Sequence, residues 1–266
     1  MNEPYPEPNP ESNPLPPPIP PRIPREMVPA IKRQLGDDPS DRVPIPHVFA
    51  AIDAILRHPR RVMYQLRQPD AGRLIVSMLS ASIVCSLIYG LVAGTFSGHS
   101  QLWIAPVKIA GGLMISASIC LPSLYIFTCL SGSQARLIEI CGLLSGLLML
   151  MTVLLIGFAP VAWIFSQSTD LLVWMGSLHL AFWLIATGFG LRFLEAGFSQ
   201  SSARSHSGFY TWVVIFLLVA VQMTTALRPI LGMADTFLPK EKKFFVVYWG
   251  DCLKTASGES KPNAHD

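Results

Sequence analysis

Five long apolar runs after residue 73 constrain the fold of this chain more than any other feature. Each run contains 21–28 residues, and together they cover residues 74–96, 103–130, 140–165, 171–191 and 210–232. A transmembrane helix needs about 20 apolar residues to cross a hydrocarbon core of about 30 Å, so each run is long enough to span a bilayer. The runs therefore predict an all-α, polytopic membrane helix bundle with five transmembrane helices.

The composition agrees with a lipid bilayer as the main partner and excludes several soluble classes. Charged residues make up only 14% of the 266 residues, whereas a soluble domain usually carries about 25%. The net charge of +3 is too small for nucleic-acid binding driven by phosphate neutralisation. The five cysteines form no CxxC pair, so neither a zinc site nor a disulfide framework is indicated. We expect no metal and no cofactor.

The N-terminal part is rich in proline, with 15 of the chain's 23 prolines in residues 1–46. Proline fixes φ and removes a backbone donor, so we expect a disordered tail that favours polyproline II. Within it, Pro17, Pro20 and Arg22 fit the PxxPxR pattern that aromatic grooves such as SH3 domains bind. The alternative is a solvated spacer, because this pattern arises easily in such a tract. A second polar tail covers residues 233–266.

Residues 47–73 join the N-terminal tail to the first run and look helical and amphipathic. Apolar residues recur at helical spacing on both sides of Pro59, and four arginines lie among them: Arg57, Arg60, Arg61 and Arg67. A basic amphipathic segment just before a span favours an interfacial helix on anionic headgroups. Packing of this segment on the bundle is an equally good interpretation.

The lysines and arginines near the runs predict the orientation of the chain. Eight of them lie on the side that holds the N-terminus, and three lie on the opposite side, all in the C-terminal tail. Positive charge favours the cytoplasmic side. We therefore predict a cytoplasmic N-terminus and a C-terminus outside the cytoplasm.

Three polar residues inside the runs are candidate functional residues: His179, Gln222 and Lys108. An intramembrane ionisable group is a functional candidate by default. His179 and Gln222 are both deep enough to bond across helices, either as interhelical glue, which we favour, or as part of an ion path. Lys108 is near the outer end of its run, and its long stem is expected to carry the ammonium to the headgroups.

Two glycine pairs have the spacing that lets helices approach closely: Gly90 with Gly94, and Gly142 with Gly146. We interpret both as intramolecular packing sites, with dimerisation as the alternative. No catalytic residue is predicted and we expect no enzyme. Ser145 and His179 form the one attractive serine–histidine pair in the runs, but at ~1.5 Å per residue their depths differ by roughly 10 Å.

The start of the membrane region resembles the Yip1-like membrane proteins. The resemblance is carried by residues 55–66 with their central Pro59, by Pro69 before the first run, and by Pro160 in the third run, and it covers residues 48–232. It implies five spans, a cytoplasmic N-terminus and, as in bacterial members, the bacterial inner membrane rather than a eukaryotic endomembrane. Eukaryotic members are implicated in vesicle trafficking and Rab binding, but the residues that they use for partners have no counterpart here.

Two functions of different classes fit these features. The first is a non-enzymatic membrane scaffold whose N-terminal region recruits membrane or cytoplasmic proteins. The alternative is a small-molecule or ion transporter subunit with a polar site around His179 and Gln222, lined by helices that prolines kink. A tightly packed His179 would favour the scaffold, and a water-accessible cavity would favour the transporter. The oligomeric state is left open.

Overall fold

The computed structural model describes residues 35–95, 101–133, 135–168, 172–199 and 207–226. This part of the chain is almost entirely helical and has no strand, which confirms the all-α prediction. A 3₁₀ turn, Pro39–Arg42, comes first. The α-helices that follow are α1 (Val48–Arg57), α2 (Pro59–Gln65), α3 (Ala71–Thr95), α4 (Gln101–Leu130), α5 (Leu137–Ser168), α6 (Leu172–Ser199) and α7 (Ser207–Ala226).

Four of these helices, α3 to α6, are long and apolar enough to cross a membrane, so the chain is a multi-pass membrane protein by helix length and composition. The apolar part of α7, Gly208–Met223, is shorter than a full span. Residues 227–232 of the fifth run and residues 233–266 lie outside the described residues, and so do Pro17, Pro20 and Arg22. The structure thus gives four membrane-capable helices where the sequence predicts five.

The centre of the bundle is α5, in which residues 142–152 are all buried. α3 and α6 pack along it most extensively, α4 packs on α3, and α7 packs on α4. A helix that is apolar on every side suits a position enclosed by other helices. We call the end where α3 and α5 begin the inner end of the bundle, and the end where α4 and α6 begin the outer end.

α6 continues two turns beyond residue 191, where the apolar run stops. Phe193, Leu194 and Phe198 are buried in this extension, and Gly197 packs against Leu143 of α5. The apolar run ends at residue 191 because charged residues follow it in the sequence. These charged residues lie on the face of α6 opposite the buried ones, so the helix continues as an amphipathic segment.

Close helix packing depends on glycines. A Cβ at Gly90 would overlap the backbone of Pro106 in α4, and a Cβ at Gly146 would lie 2.8 Å from Cζ of Phe193 in α6. At Gly142 a Cβ would overlap the Leu66 side chain, which follows α2. Gly94 is also buried. The contacts of Gly90, Gly142 and Gly146 all lie within one chain, as intramolecular packing requires.

One tryptophan attaches α7 to α4. Trp212 is fully buried, and its Nε1 donates a 3.0 Å hydrogen bond to the carbonyl oxygen of Cys120. Its ring stacks on Phe216 with the centroids 5.2 Å apart. A buried indole N–H needs such an acceptor, so this bond fixes the position of α7 along α4.

Candidate functional sites at the two ends of the bundle

The described structure begins with residues 35–46, which we call the N-terminal latch. The sequence assigned this segment to the disordered tail, and that boundary is wrong for residues 35–46. Pro39 starts the 3₁₀ turn, where its missing N–H has no cost, and the Asp38 carboxylate accepts a 3.0 Å hydrogen bond from the Ser40 amide.

A buried carboxylate holds the first part of the latch. Oδ2 of Asp41 accepts a 3.2 Å hydrogen bond from the amide of Gly36 and lies 3.5 Å from Nε of Arg60 in α2. Gly36 has a φ of 93°, and a Cβ there would lie 2.9 Å from a ring carbon of Tyr64. Only glycine fits this left-handed position without strain.

Two α2 side chains hold the extended part of the latch through its main chain. Nε and Nη2 of Arg61 donate to the carbonyl oxygens of Val43 and Pro44 at 2.8 and 2.7 Å. Gln65 donates through Nε2 to the Val43 carbonyl, and its Oε1 accepts from the Ile45 amide at 3.1 Å. The latch is therefore fixed to α2 by several bonds at once.

α1 and α2 are in turn part of the bundle core. Their buried apolar residues belong to the same cluster as α5 and are Ala51, Ala54, Ile55, Val62 and Met63. A Cβ at Gly146 would lie 3.4 Å from Cδ1 of Ile55. Of the two interpretations of residues 47–73, packing on the bundle is what the structure has, so the latch is attached to the membrane domain.

The four arginines predicted at the membrane surface have different surroundings. Arg60 and Arg61 hold the latch. Arg57 pairs with Asp53 at 3.2 Å in an exposed position, and Arg67 is exposed. Contact of these arginines with headgroups stays a prediction, and Arg60 and Arg61 have a structural role that the sequence did not indicate.

At the outer end, His179 of α6 bonds to a tyrosine rather than to Gln222. Its Nδ1 lies 2.6 Å from the Tyr89 hydroxyl of α3, and the two rings meet edge to face with centroids 5.6 Å apart. The idea that His179 pairs with Gln222 across helices is therefore wrong, because within the described residues His179 bonds to Tyr89. α3 and α6 both pack on α5, whereas α7, which carries Gln222, packs on α4.

The other ring nitrogen of His179 is unsatisfied. Nε2 is buried and has no hydrogen-bond partner within the part of the chain that the structure describes. A neutral imidazole has one donor and one acceptor nitrogen, so either tautomer leaves one polar atom unpaired. Such an atom costs about 1–3 kcal/mol, which makes His179 the strongest intramembrane candidate.

Lys108 is buried within the protein. It is only 1% exposed, which contradicts the expectation that its ammonium reaches the membrane surface. Gly90 contacts Pro106, so Lys108, two residues or about 3 Å further along α4, lies near the level of Tyr89. We call Tyr89, Lys108 and His179 the outer polar layer.

No serine–histidine pair forms. The Ser145 hydroxyl donates to the Cys141 carbonyl at 2.7 Å within its own helix. The adjacent Gly146 meets Phe193, which is about 21 Å along α6 from His179 at ~1.5 Å per residue. Across the described ranges, no group of three or more His, Cys, Asp or Glu could hold a metal ion.

No protein-family model matches this sequence, and no curated protein or solved structure matches it significantly.

Sequence reasoning missed Tyr89, Asp41 and Gln65. A phenol beside Gly90 within an apolar run was a visible signal for Tyr89, since a buried phenol seeks a partner. For Asp41 and Gln65 no local signal exists, because Gln65 bonds to main-chain atoms about 20 positions away and the Asp41–Arg60 pair is similarly distant in sequence.

Proposed function

We propose that this protein is a non-enzymatic membrane scaffold that holds its proline-rich N-terminal arm, residues 1–34, at the cytoplasmic face. The arm recruits membrane or cytoplasmic proteins, with Pro17, Pro20 and Arg22 as the docking motif. The observation that carries the proposal is the latch. Arg61 and Gln65 bind its main chain, and a chain that only needed a loose spacer would not require such a fixed attachment.

The proposal includes the membrane topology of the sequence prediction. Its elements are five spans with α7 as the fifth, a cytoplasmic N-terminus, a C-terminus outside, and a bacterial inner membrane as implied by the resemblance to the Yip1-like proteins. A membrane-impermeant maleimide should label Cys252 from the non-cytoplasmic side. Labelling of Cys252 only after permeabilisation would mean that the topology is the reverse of the one proposed.

A photo-crosslinking residue at position 19 of the full chain tests recruitment. It should trap a partner in native membranes, and the triple variant Pro17→Ala, Pro20→Ala, Arg22→Glu should lose that crosslink. Deletion of residues 1–34, which leaves the latch in place, should leave membrane insertion unchanged. An equal crosslink in the triple variant would refute docking through the motif, and the absence of any crosslink in the unchanged chain would refute recruitment by this part of the arm.

The unpaired Nε2 of His179 favours a second candidate function, that of an ion or small-molecule transporter subunit. The buried Lys108 at a similar level adds to it, because intramembrane charges usually mark a pathway. Gln222 is not part of this version of the site. Diethyl pyrocarbonate attacks unprotonated imidazole nitrogen, so modification of His179 in sealed vesicles, read by peptide mass spectrometry, supports a water path. Protection of His179 while His58 reacts supports the scaffold.

A further inference from the structure

The exposed side of α1 carries two large apolar side chains although this helix is not one of the four membrane-capable helices. Phe49 is 79% exposed and Leu56 is 47% exposed, and a spacing of seven residues puts both on one side of the helix. The buried residues Ala51, Ala54 and Ile55 lie on the other side, toward the core. Asp53 and Arg57 are about 40° and 80° around the helix from Phe49 at 3.6 residues per turn, so this exposed ion pair borders the apolar stripe on one side.

The depth of α1 along the bundle indicates what covers this exposed side. α5 has 32 residues, about 48 Å at ~1.5 Å per residue, which exceeds a hydrocarbon core of about 30 Å by about 9 Å at each end. Ile55 of α1 lies beside Gly146, nine residues or about 14 Å into α5 from Leu137. That level is about 5 Å inside the hydrocarbon edge, within the depth that interfacial helices reach.

The surface next to α1 at the inner end is also apolar. Leu137 and Ile138 in the first turn of α5 are 51% and 44% exposed, and Val76 near the start of α3 is 66% exposed. α1 packs on both α3 and α5. The exposed face of α1 therefore continues the lipid-facing surface of the bundle toward the headgroups.

We propose that Phe49 and Leu56 insert into the acyl–headgroup boundary of the leaflet at the inner end, while the opposite face of α1 packs on the bundle. The occupant of this face is lipid. Apolar insertion and not headgroup charge provides the contact, because Arg57 is already paired with Asp53. This inference depends on the bundle being embedded in a bilayer and is independent of any recruitment by the N-terminal arm.

Single cysteines in the full chain test the proposal in vesicles of phosphatidylcholine. Phe49→Cys and Leu56→Cys are compared with Arg57→Cys on the polar border of the same helix, and Val76→Cys is the lipid-facing reference. Because a water-soluble maleimide does not enter the acyl region and the reactive thiolate is suppressed there, this reagent should label positions 49 and 56 roughly tenfold more slowly than position 57. Peptide mass spectrometry reads each site separately from the native cysteines.

A lipid-soluble maleimide distinguishes the possible covers of this face. The readout is the rate with the lipid-soluble reagent divided by the rate with the water-soluble one. A ratio that is higher at positions 49, 56 and 76 than at position 57 supports lipid insertion. Slow reaction of positions 49 and 56 with both reagents, with a ratio below that of position 76, means that protein covers them, and equal rates at positions 49, 56 and 57 with the water-soluble reagent mean that this side of α1 is in water. Protection that appears only when phosphatidylglycerol is added makes the contact electrostatic. Each of these last three results overturns the proposal.

Discussion

The inner and outer halves of the bundle treat buried polar groups differently. In the inner half, α1 and α2 cover the core, and the buried Asp41 carboxylate is matched by Gly36 and Arg60. In the outer half, the Tyr89–His179 pair leaves Nε2 of His179 without a partner among the described residues. The inner half also has one such atom, the hydroxyl oxygen of Ser77 in α3, so an unsatisfied atom does not by itself distinguish the halves. The difference lies in how an ionisable group is held, because Asp41 has a main-chain partner and a charged partner, whereas the described partner of His179 is one hydroxyl.

The largest expected effect on stability comes from replacing a packed glycine by alanine, which tests how rigid each half of the bundle is. Gly90→Ala places a Cβ against the backbone of Pro106, which cannot move away, whereas Gly142→Ala meets the rotatable side chain of Leu66. Overpacking usually costs 1–3 kcal/mol, so we expect a loss of about 3 kcal/mol in the free energy of unfolding for Gly90→Ala and about 1 kcal/mol for Gly142→Ala.

Thermal unfolding in detergent micelles measures both variants. Gly111→Ala is the matched control on α4, since a Cβ there would meet nothing within 4 Å, and it should be neutral or slightly stabilising because alanine favours helix more than glycine does. Equal losses of unfolding free energy in Gly90→Ala and Gly142→Ala would mean that the two halves do not differ in rigidity.

The next effect is local to the latch. Asp41→Ala removes the carboxylate that pairs with Arg60 and accepts from the Gly36 amide. Because Arg60 is partly exposed, we expect the free energy that holds the latch on α2 to fall by about 2 kcal/mol, less than for a fully buried pair. Limited proteolysis within residues 35–46 should then accelerate roughly 25-fold, since each 1.4 kcal/mol is tenfold.

The melting temperature of the bundle should change little in Asp41→Ala, because the lost bonds lie outside the spans. Asp53→Asn, which removes an exposed pair with Arg57, is the control and should leave proteolysis unchanged. A bundle that melts together with the latch would contradict a separate, local attachment.

The smallest effect concerns the outer half. Tyr89→Phe removes the hydroxyl that bonds to His179, and interhelical hydrogen bonds in membranes average about 0.6 kcal/mol, so we expect a loss below about 1 kcal/mol. Tyr210→Phe removes a 3.1 Å bond to Glu195 at an exposed position and serves as the control with no measurable change. A loss of several kcal/mol in Tyr89→Phe would mean that the pair is a structural element of the fold.

The four membrane-capable helices were predictable because apolarity over about 20 residues is a local property of the sequence. The partner of His179 was not, since it depends on which helices are neighbours in the bundle. The snorkelling expectation for Lys108 assumed lipid around α4, but protein buries this side chain almost completely. The latch was missed because main-chain carbonyls of Val43 and Pro44 leave no mark in the sequence.

α5 is the most apolar of the four membrane-capable helices although the folded bundle encloses much of it, and α6 is the least apolar. Synthesis from the N-terminus completes α5 before α6. We therefore expect α5 to enter the bilayer with its α6-facing side still exposed to lipid, and α6 to pack against a helix that is already inserted. The high apolarity of α5 suits this step of biosynthesis as well as its enclosed position in the folded bundle.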